Sequence, residues 1–373
     1  MKTLILSANT GQGHNSCARA IQETFLSQGD ECDIQDVFGL VSRKLSRVIS
    51  RNHENTYRHN PARSDAEYRF LEKHPEIFQQ RRIVYRVMSA GRKPVAQCVR
   101  QGGYDAVICT HVLAAMILTA AIHKERLQVQ SAFVATDYSC APGVNGTRLD
   151  WYFIPHPNLT RDFLAADVPV EKLIPTGIPV QQDFRPCNDK PSAKATFGIA
   201  PANRHLLMMC GSMGCGPIPE LLSLLAAQLP ESWEITVVCG TNAKLQEQLS
   251  REHANNAAIH IRGYENRMTQ LLSSADLYLT KPGGLSTSEA AAANVPMVFV
   301  DTVSGCEANN LQHFLALGAA ITGDTVGAVV QECLALMNDP IRLAQMADAL
   351  RFSTLHNSAK TIWATMHPSA SNA

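Results

Sequence analysis

The sequence predicts an α/β protein built from two doubly wound domains, and three observations carry that expectation. Short β-branched or aliphatic runs alternate with helical stretches from end to end, as parallel strands covered by helices require. The alternation occurs twice, on either side of a polar, proline-punctuated stretch, Arg185-Pro186-Cys187-Asn188-Asp189-Lys190-Pro191-Ser192. Finally, 373 residues, 45% of them apolar, are enough for two ordinary domains with cores of their own.

In the first half the expected strands are Thr3–Ser7, Cys32–Val37, Ala106–Thr110, Ala132–Thr136 and Trp151–Ile154, with helices such as Ser16–Ser27 and Val112–His123 between them. In the second half they are His205–Met209, Glu234–Cys239, Ala258–Ile261, Leu277–Leu279 and Met297–Val300. The stretch 185–192 makes a poor strand or helix and a good linker. It divides a first domain, 1–184, from a second, 193–350, and 351–373 form a C-terminal helix and tail. The opening apolar residues run straight into Asn9-Thr10-Gly11-Gln12-Gly13 without a cleavage-type region, so they read as a first strand and not as a leader. The longest nearly apolar run, Leu113 to Ile122, falls short of the roughly 18 residues that span a bilayer.

Lys+Arg and Asp+Glu balance at 33 each, so no whole-molecule field favours nucleic acid, and none is expected as a partner. Residues 41–100 depart from that balance, with fourteen Lys/Arg against five Asp/Glu. Within them Arg43-Lys44-Leu45-Ser46-Arg47-Val48-Ile49-Ser50-Arg51 and Arg81-Arg82-Ile83-Val84-Tyr85-Arg86-Val87-Met88 mix cations with apolar residues. Such stretches can lie on an anionic membrane surface, each cation contributing about 1 kcal/mol. The competing reading is a solvated helix face packed on its own domain. Eleven cysteines without a CxxC pair argue against a disulfide framework or a structural zinc site and fit a reducing compartment. The expected location is therefore cytoplasmic, peripheral on the inner face of the cell membrane.

In doubly wound sheets, ligands gather at the carboxyl ends of strands, where glycines admit a close backbone and helix N-termini offer N–H groups to anions. Three glycine turns occupy such places. Gly11-Gln12-Gly13-His14 follows the first strand; Gly211-Ser212-Met213-Gly214-Cys215-Gly216-Pro217 follows the strand at 205–209; Lys281-Pro282-Gly283-Gly284-Leu285-Ser286-Thr287-Ser288-Glu289 joins a strand to an alanine-rich helix. None fits the P-loop pattern and the first lacks a full GxGxxG, so a diphosphate without a nicotinamide is the expected ligand. Glu289, three residues after Ser286, fits either a capping box or a carboxylate gripping ribose hydroxyls. His14 fits either a plain turn residue or, kept neutral by a helix N-terminus, the form a general base needs. Asp137 could orient His14 or the acceptor, or cap its own turn. No Asp-x-Asp occurs, so neither a metal clamp nor another cofactor is expected.

At these motifs the sequence resembles the glycosyltransferase family that contains plant monogalactosyldiacylglycerol synthases and bacterial processive diacylglycerol glucosyltransferases. The likeness covers nearly the whole chain. It includes Gly11-Gln12-Gly13-His14, Ala135-Thr136-Asp137-Tyr138, Asp150-Trp151-Tyr152-Phe153-Ile154-Pro155-His156-Pro157 and Thr176-Gly177-Ile178-Pro179-Val180. The most specific part is Gly263-Tyr264, Met268, Ala275-Asp276, Thr280 to Ala290, and Gly305-Cys306-Glu307-Ala308-Asn309-Asn310. The sequence is similar also to the transferase that adds N-acetylglucosamine to the membrane-bound peptidoglycan precursor.

The resemblance implies a GT-B fold, two Rossmann-like domains facing a cleft. It also implies an inverting transfer of hexose from UDP-glucose or UDP-galactose to diacylglycerol or a related glycolipid, the UDP-sugar being a co-substrate. By the same resemblance His14 is the catalytic base. The backbone near Tyr264 and Glu265 would hold uracil with Met268 packed nearby, and Glu289 would bind ribose. Ser212 and Ser286 would hold the diphosphate region with Gly211, Met213, Gly214, Gly283 and Gly284, and Glu307 with Asn310 the sugar hydroxyls. Two departures bear on substrate: Ser139 to Leu149 lacks the histidine and tryptophan usual after the Thr-Asp pair, and Cys306 stands where the family carries a glutamine. The alternatives are another lipid-linked acceptor such as a peptidoglycan precursor, a UDP-sugar-binding regulator with little turnover, and a UDP-sugar epimerase of the same fold.

Overall fold

The computed structural model describes residues 1–9, 12–42, 44, 46–47, 61–78, 82, 85–86, 89–300, 305–353 and 355–367, without the side chains of 61–65 and 67. Two six-stranded sheets, parallel throughout, organise the chain. The first contains β1 (Lys2–Ser7), β2 (Glu31–Asp36), β3 (Ala106–Cys109), β4 (Gln130–Val134), β5 (Trp151–Ile154) and β6 (Leu173–Pro175), in the order β2-β1-β3-β4-β5-β6. The second contains β7 (Arg204–Met209), β8 (Trp233–Val238), β9 (Ile259–Arg262), β10 (Leu277–Thr280), β11 (Met297–Phe299) and β12 (Ala320–Thr322), in the order β12-β11-β10-β7-β8-β9. Both orders are doubly wound: strand order reverses between β1 and β3 in one sheet and between β7 and β10 in the other, and those are the switch points where such folds bind ligands.

Parallel strands buried on both faces favour apolar residues on both sides, and the centre of β1, Leu4 to Leu6, supplies them. Leu4 and Leu6 enter one core with Val107, Cys109 and Phe133, whereas Ile5 enters the opposite core with Ile108, Ala132 and Phe153. Each large side chain so buried contributes about 1.5–3 kcal/mol. The helix Val112–Lys124 is apolar nearly all round because Ala114 to Ala121 are buried without a break. In the second unit Trp233, Ile235, Leu221, Leu277 and Val298 share one core, and Trp233 Nε1 donates to the Met337 carbonyl at 3.1 Å.

Compact units divide at Gln181/Gln182: the first is Met1–Gln181 with Val303–Asn309 and Leu355–Ala373, the second Gln182–Thr302 with Asn310–Thr354. Several details differ from the sequence reading. The stretch taken as linker ends in a helix, Lys190–Thr196, because Asp189 accepts from Ser192 N at 3.1 Å and Pro191 suits a first turn. Lys190 and Lys194 both reach Asp276, at 3.1 and 2.8 Å, and pin that helix to its unit. The C-terminal helix Ser358–Met366 packs into the first unit's core through Ile362 and Met366. There Trp363 Nε1 donates to Asp30 at 2.8 Å, and the N-terminal amine meets the same carboxylate at 2.8 Å. β6 and β12 went unforeseen, three residues being too short to show a period.

Candidate functional site

At the first sheet's switch point, the carboxyl ends of β1 and β3 bring residues from distant parts of the chain together. Ser7 Oγ donates to Asn15 Oδ1 at 2.6 Å and Asn15 Nδ2 to Asn9 Oδ1 at 2.9 Å, tying the strand end to the helix Gln12–Ser27. Gly11 lies outside the described residues. The helix begins at Gln12 and not near Ser16, so Gly13 and His14 sit in its first turn.

His14 Nδ1 lies 2.7 Å from the Thr110 carbonyl oxygen, just past β3, and 3.1 Å from Thr136 Oγ1, just past β4. A carbonyl only accepts, so Nδ1 carries the proton and Nε2 is the basic nitrogen, an assignment made from the partners. Burial holds the His14 pKa below the ordinary imidazole range, against the Asp137 charge and the Thr110 carbonyl, which both raise it. His111 packs edge-on against His14 with ring centroids 4.7 Å apart, and its Nδ1 accepts from Leu113 N at 3.1 Å. Sequence reasoning missed His111; its place directly after a strand at the switch point was the available signal.

Asp137 meets Cys306, whose thiol donates to the carboxylate. Burial pushes that thiol well above its ordinary range, and the charges of Asp137 and Glu307 push it further, so it stays protonated as a donor. Ser304 lies outside the described residues. Gly305 has φ +78°, and a Cβ there would stand 2.6 Å from Tyr68 Cδ1, so only glycine lets this backbone lie on the Tyr68 ring. These contacts explain why 303–309, placed in the second domain from sequence, clusters with the first unit. Tyr68 and Ser139 approach each other closely enough for their hydroxyls to interact. Even so, among the described residues the Tyr68, Ser139 and Thr110 hydroxyls are buried without a partner of good hydrogen-bond geometry.

In the second unit, both glycine turns stand at the switch point, one after β7 and one after β10. Gly214 has φ +56°, and a Cβ on it would lie 2.2 Å from the Cys239 carbonyl oxygen. Thr241 N donates to Ser212 O at 2.9 Å and Asn242 Nδ2 to Gly214 O at 3.2 Å, which fixes the turn through its carbonyls. Among the described residues none accepts from the backbone N–H of Gly211, Ser212 or Met213. The helix Gly284–Ala292 has Gly283 as N-cap and no side-chain cap, leaving its first N–H groups uncapped. Since Ser286 is the third residue of that helix and not its cap, the capping-box reading of Ser286 and Glu289 fails. Thr287 and Ser288 bond back to helix carbonyls at 2.9 and 2.7 Å, whereas Ser286 Oγ has only a 3.5 Å contact with Gly283 O. Lys281 is buried, and its Cε lies 3.3 Å from where a Cβ on Gly216 would stand, so a cation sits beside the first of these turns. Sequence reasoning gave Lys281 no role.

Tyr264 is 63% exposed. Glu265 accepts from Arg267 N at 2.9 Å and pairs with Arg262 at 3.2 Å; burial opposes its charge, but these donors hold its pKa below the ordinary range. Arg262 and Arg267 lie over the Phe197 ring at 5.1 and 4.8 Å and brace the turn. Met268 opens the next helix, Met268–Ser274. Asn310 Nδ2 donates to the Pro282 carbonyl at 3.0 Å, so this amide shapes the glycine turn.

Of the basic stretch, Arg43, Leu45, Val48 to Arg51, Arg81, Ile83, Val84, Val87 and Met88 lie outside the described residues. Two described parts of residues 41–100 pack on their own unit. Tyr85 is buried in a small core with Phe78 and Met116. The helix Arg92–Gly102 buries Val95, Ala96 and Val99 in its own unit, and Arg92 and Arg100 both bond to Glu125. No helix among the described residues is long and apolar enough to cross a membrane.

Comparison with known proteins finds relatives for both units. Residues 14–180 match the monogalactosyldiacylglycerol (MGDG) synthase family model, and residues 205–362 match the glycosyltransferase family 28 C-terminal domain. A processive diacylglycerol beta-glucosyltransferase of Bacillus cereus is 27% identical over 354 residues, 94% of this chain and 89% of the relative. One of Bacillus cytotoxicus is 26% identical over 358 residues with the same coverage. Among solved structures, MurG of Acinetobacter baumannii superposes with a TM-score of 0.63 at 18% identity over 97% of each chain. The UDP-GlcNAc 2-epimerase of Neisseria meningitidis superposes with a TM-score of 0.61 at 13% identity over 99% of this chain and 100% of that one. Transferases and an epimerase thus share the fold, and the family matches decide between them. The chain is similar to monogalactosyldiacylglycerol synthases in its first unit and to the glycosyltransferase family 28 C-terminal domain in its second, has the GT-B fold, and is a glycosyltransferase.

Proposed function

We propose that the protein transfers a hexose from UDP-glucose or UDP-galactose to diacylglycerol or a related glycolipid at a membrane surface, with inversion at the anomeric carbon. One observation carries the reading: the likeness to processive diacylglycerol beta-glucosyltransferases runs through both units at once. Inversion of an α-linked donor gives a β-glycoside, the linkage in those relatives' name.

In this mechanism the acceptor hydroxyl oxygen attacks the anomeric carbon while the bond to the β-phosphate oxygen breaks and UDP leaves with the electron pair. His14 Nε2 takes the hydroxyl proton, the Thr110 carbonyl having fixed the tautomer. Asp137 favours the imidazolium that forms, since its charge raises the His14 pKa. The backbone N–H groups of Gly211, Ser212 and Met213, the N-terminus of the helix Gly284–Ala292 with Ser286, and the Lys281 cation meet the charge on the leaving diphosphate. No metal or tightly held cofactor is required by this donor set. Glu289 takes the ribose, the turn at Tyr264 and Glu265 the base with Met268 beside it, and Glu307 with Asn310 the hexose. Membrane contact uses the helix Pro61–Lys73, where Phe70 is 56% exposed between the exposed Arg69 and Lys73; the protein works from the cytoplasmic face.

The test is UDP release from UDP-glucose and UDP-galactose, with and without diacylglycerol in anionic vesicles, with chromatography of the lipids and a chelator arm. Lipid-dependent release with a new glycolipid, unaffected by chelator, is expected. Tight UDP binding without any glycolipid would point to another acceptor or to a sensor.

A further inference from the structure

Among the described residues, the polar contacts of His14 all meet one ring atom. Its Nδ1 lies 2.7 Å from the Thr110 carbonyl oxygen and 3.1 Å from Thr136 Oγ1. A ring pinned at a single atom can still swing about it, and the side chain's own preference does not resist, because the terminal torsion of a histidine is broad. A swing of roughly 30° carries the basic Nε2 about 1 Å, and a displacement of that size can cost on the order of 10²-fold in rate. Something besides the two threonines has to fix the plane of this ring.

His111 is placed to do so. It links β3 to the helix Val112–Lys124 and is the N-cap of that helix, with extended backbone (φ −139°, ψ 137°) and Nδ1 accepting from Leu113 N at 3.1 Å. The cap bond sets the orientation of the His111 ring and occupies its lone pair. A nitrogen that accepts an N–H carries no proton, so in the neutral ring the proton is on Nε2, an assignment made from the partner. His111 therefore has no nitrogen left to act as the base. What it offers His14 is a wall: the two ring centroids are 4.7 Å apart with planes at 72°, the edge-to-face arrangement that aromatic rings prefer. Phe38 meets the His111 ring in the same way, at 6.4 Å and 72°, so the wall is itself braced by the buried core.

We propose that His111 is a positioning residue for the glycosyl transfer, its capped ring holding the His14 imidazole in the plane from which Nε2 meets the acceptor hydroxyl. The inference rests on the reading of His14 as the base and adds the group that aims it. Thr110 fixes the tautomer of His14 and His111 fixes its direction.

Two substitutions separate the ring of His111 from its cap. His111→Phe keeps an edge-on ring and loses the cap; His111→Asn keeps a cap-forming side chain and loses the ring. For each full-length variant the kcat of lipid-dependent UDP release, the KM for UDP-sugar and the thermal unfolding temperature are measured. Long-range proton–nitrogen NMR spectra of histidine-labelled protein are recorded alongside, the His14 signals being identified by their absence from His14→Ala. Expected is a fall in kcat of about tenfold or more in His111→Asn, with His111→Phe within about threefold of wild type. The KM for UDP-sugar stays unchanged in both, whichever unfolds at the lower temperature. His14 gives one set of signals, protonated at Nδ1, in wild type and His111→Phe, and averaged or doubled signals in His111→Asn. A kcat kept by His111→Asn and lost by His111→Phe would assign the effect to the cap and overturn the proposal, as would equal losses, no loss, or a KM that rises as kcat falls. If His14→Ala turns over fully, the base reading fails; the NMR signals then decide alone whether His111 orients the ring, and unchanged His14 signals in His111→Asn would refute it.

Discussion

His14 Nδ1 and the carbonyl oxygen of Thr110 lie 2.7 Å apart, joining residues 96 positions distant in the chain. The contact fixes which ring nitrogen is basic, and burial decides that the ring is neutral near pH 7. Because the folded pKa lies below the ordinary value of about 6.5, the acid limb of the kcat/KM profile should fall below that pH. Asp137 raises the His14 pKa, so Asp137→Asn should move the limb to still lower pH while reducing kcat. A limb that moves upward, or stays in place, contradicts the electrostatic link.

Gly214 tests the diphosphate turn. An alanine there would have to adopt φ +56° with its Cβ 2.2 Å from the Cys239 carbonyl oxygen, which cannot happen without displacement of one strand end or the other. Gly214→Ala should destabilise the second unit by about 1–3 kcal/mol and raise the KM for UDP-sugar. Denaturant unfolding and donor-saturation curves, measured on the same preparation, check both effects.

The second unit also carries a pH-sensitive stability term. Burial pushes the His205 pKa down to about 3, with the Asp276 charge opposing. Above about pH 6.5 the imidazole is neutral in both folded and unfolded chains, and its contribution is complete. As pH falls from about 6.5 toward 3, the unfolded chain takes up a proton that the folded one refuses, and stability is lost. Thermal unfolding of wild type and His205→Asn at pH 7, 5.5 and 4.5 should show a shallower decline in the variant; parallel declines would remove His205 as the cause.

How far the sequence reveals this molecule depends on the range of the interaction concerned. Strands such as β1 and β7 are legible because burial on both faces writes a continuous apolar run into each, Leu4 to Leu6 and Leu206 to Met209. β6 and β12 are not, since three residues carry no period and the first ends in proline. His14 and the turns at Gly211 and Gly283 are visible because their chemistry is local, glycines and a histidine directly after a strand. The Thr110 carbonyl, the edge-on His111, the Tyr68 ring under Gly305 and the thiol of Cys306 on Asp137 are long-range contacts, and no spacing in a single sequence encodes them. Within the basic stretch some apolar residues serve the unit's own core, as Tyr85, Val95 and Val99 do. A mixed cationic and apolar pattern looks the same whether its apolar side meets lipid or protein.

The central claim, that His14 is the base of a glycosyl transfer to a lipid hydroxyl, is tested most directly by one side-by-side measurement. Lipid-dependent UDP release by wild type and His14→Ala would be followed on the same diacylglycerol vesicles, with the UDP dissociation constant determined for each protein. The account predicts a fall in kcat of about 10²–10⁴-fold with UDP affinity unchanged; full turnover by a folded His14→Ala protein would contradict it.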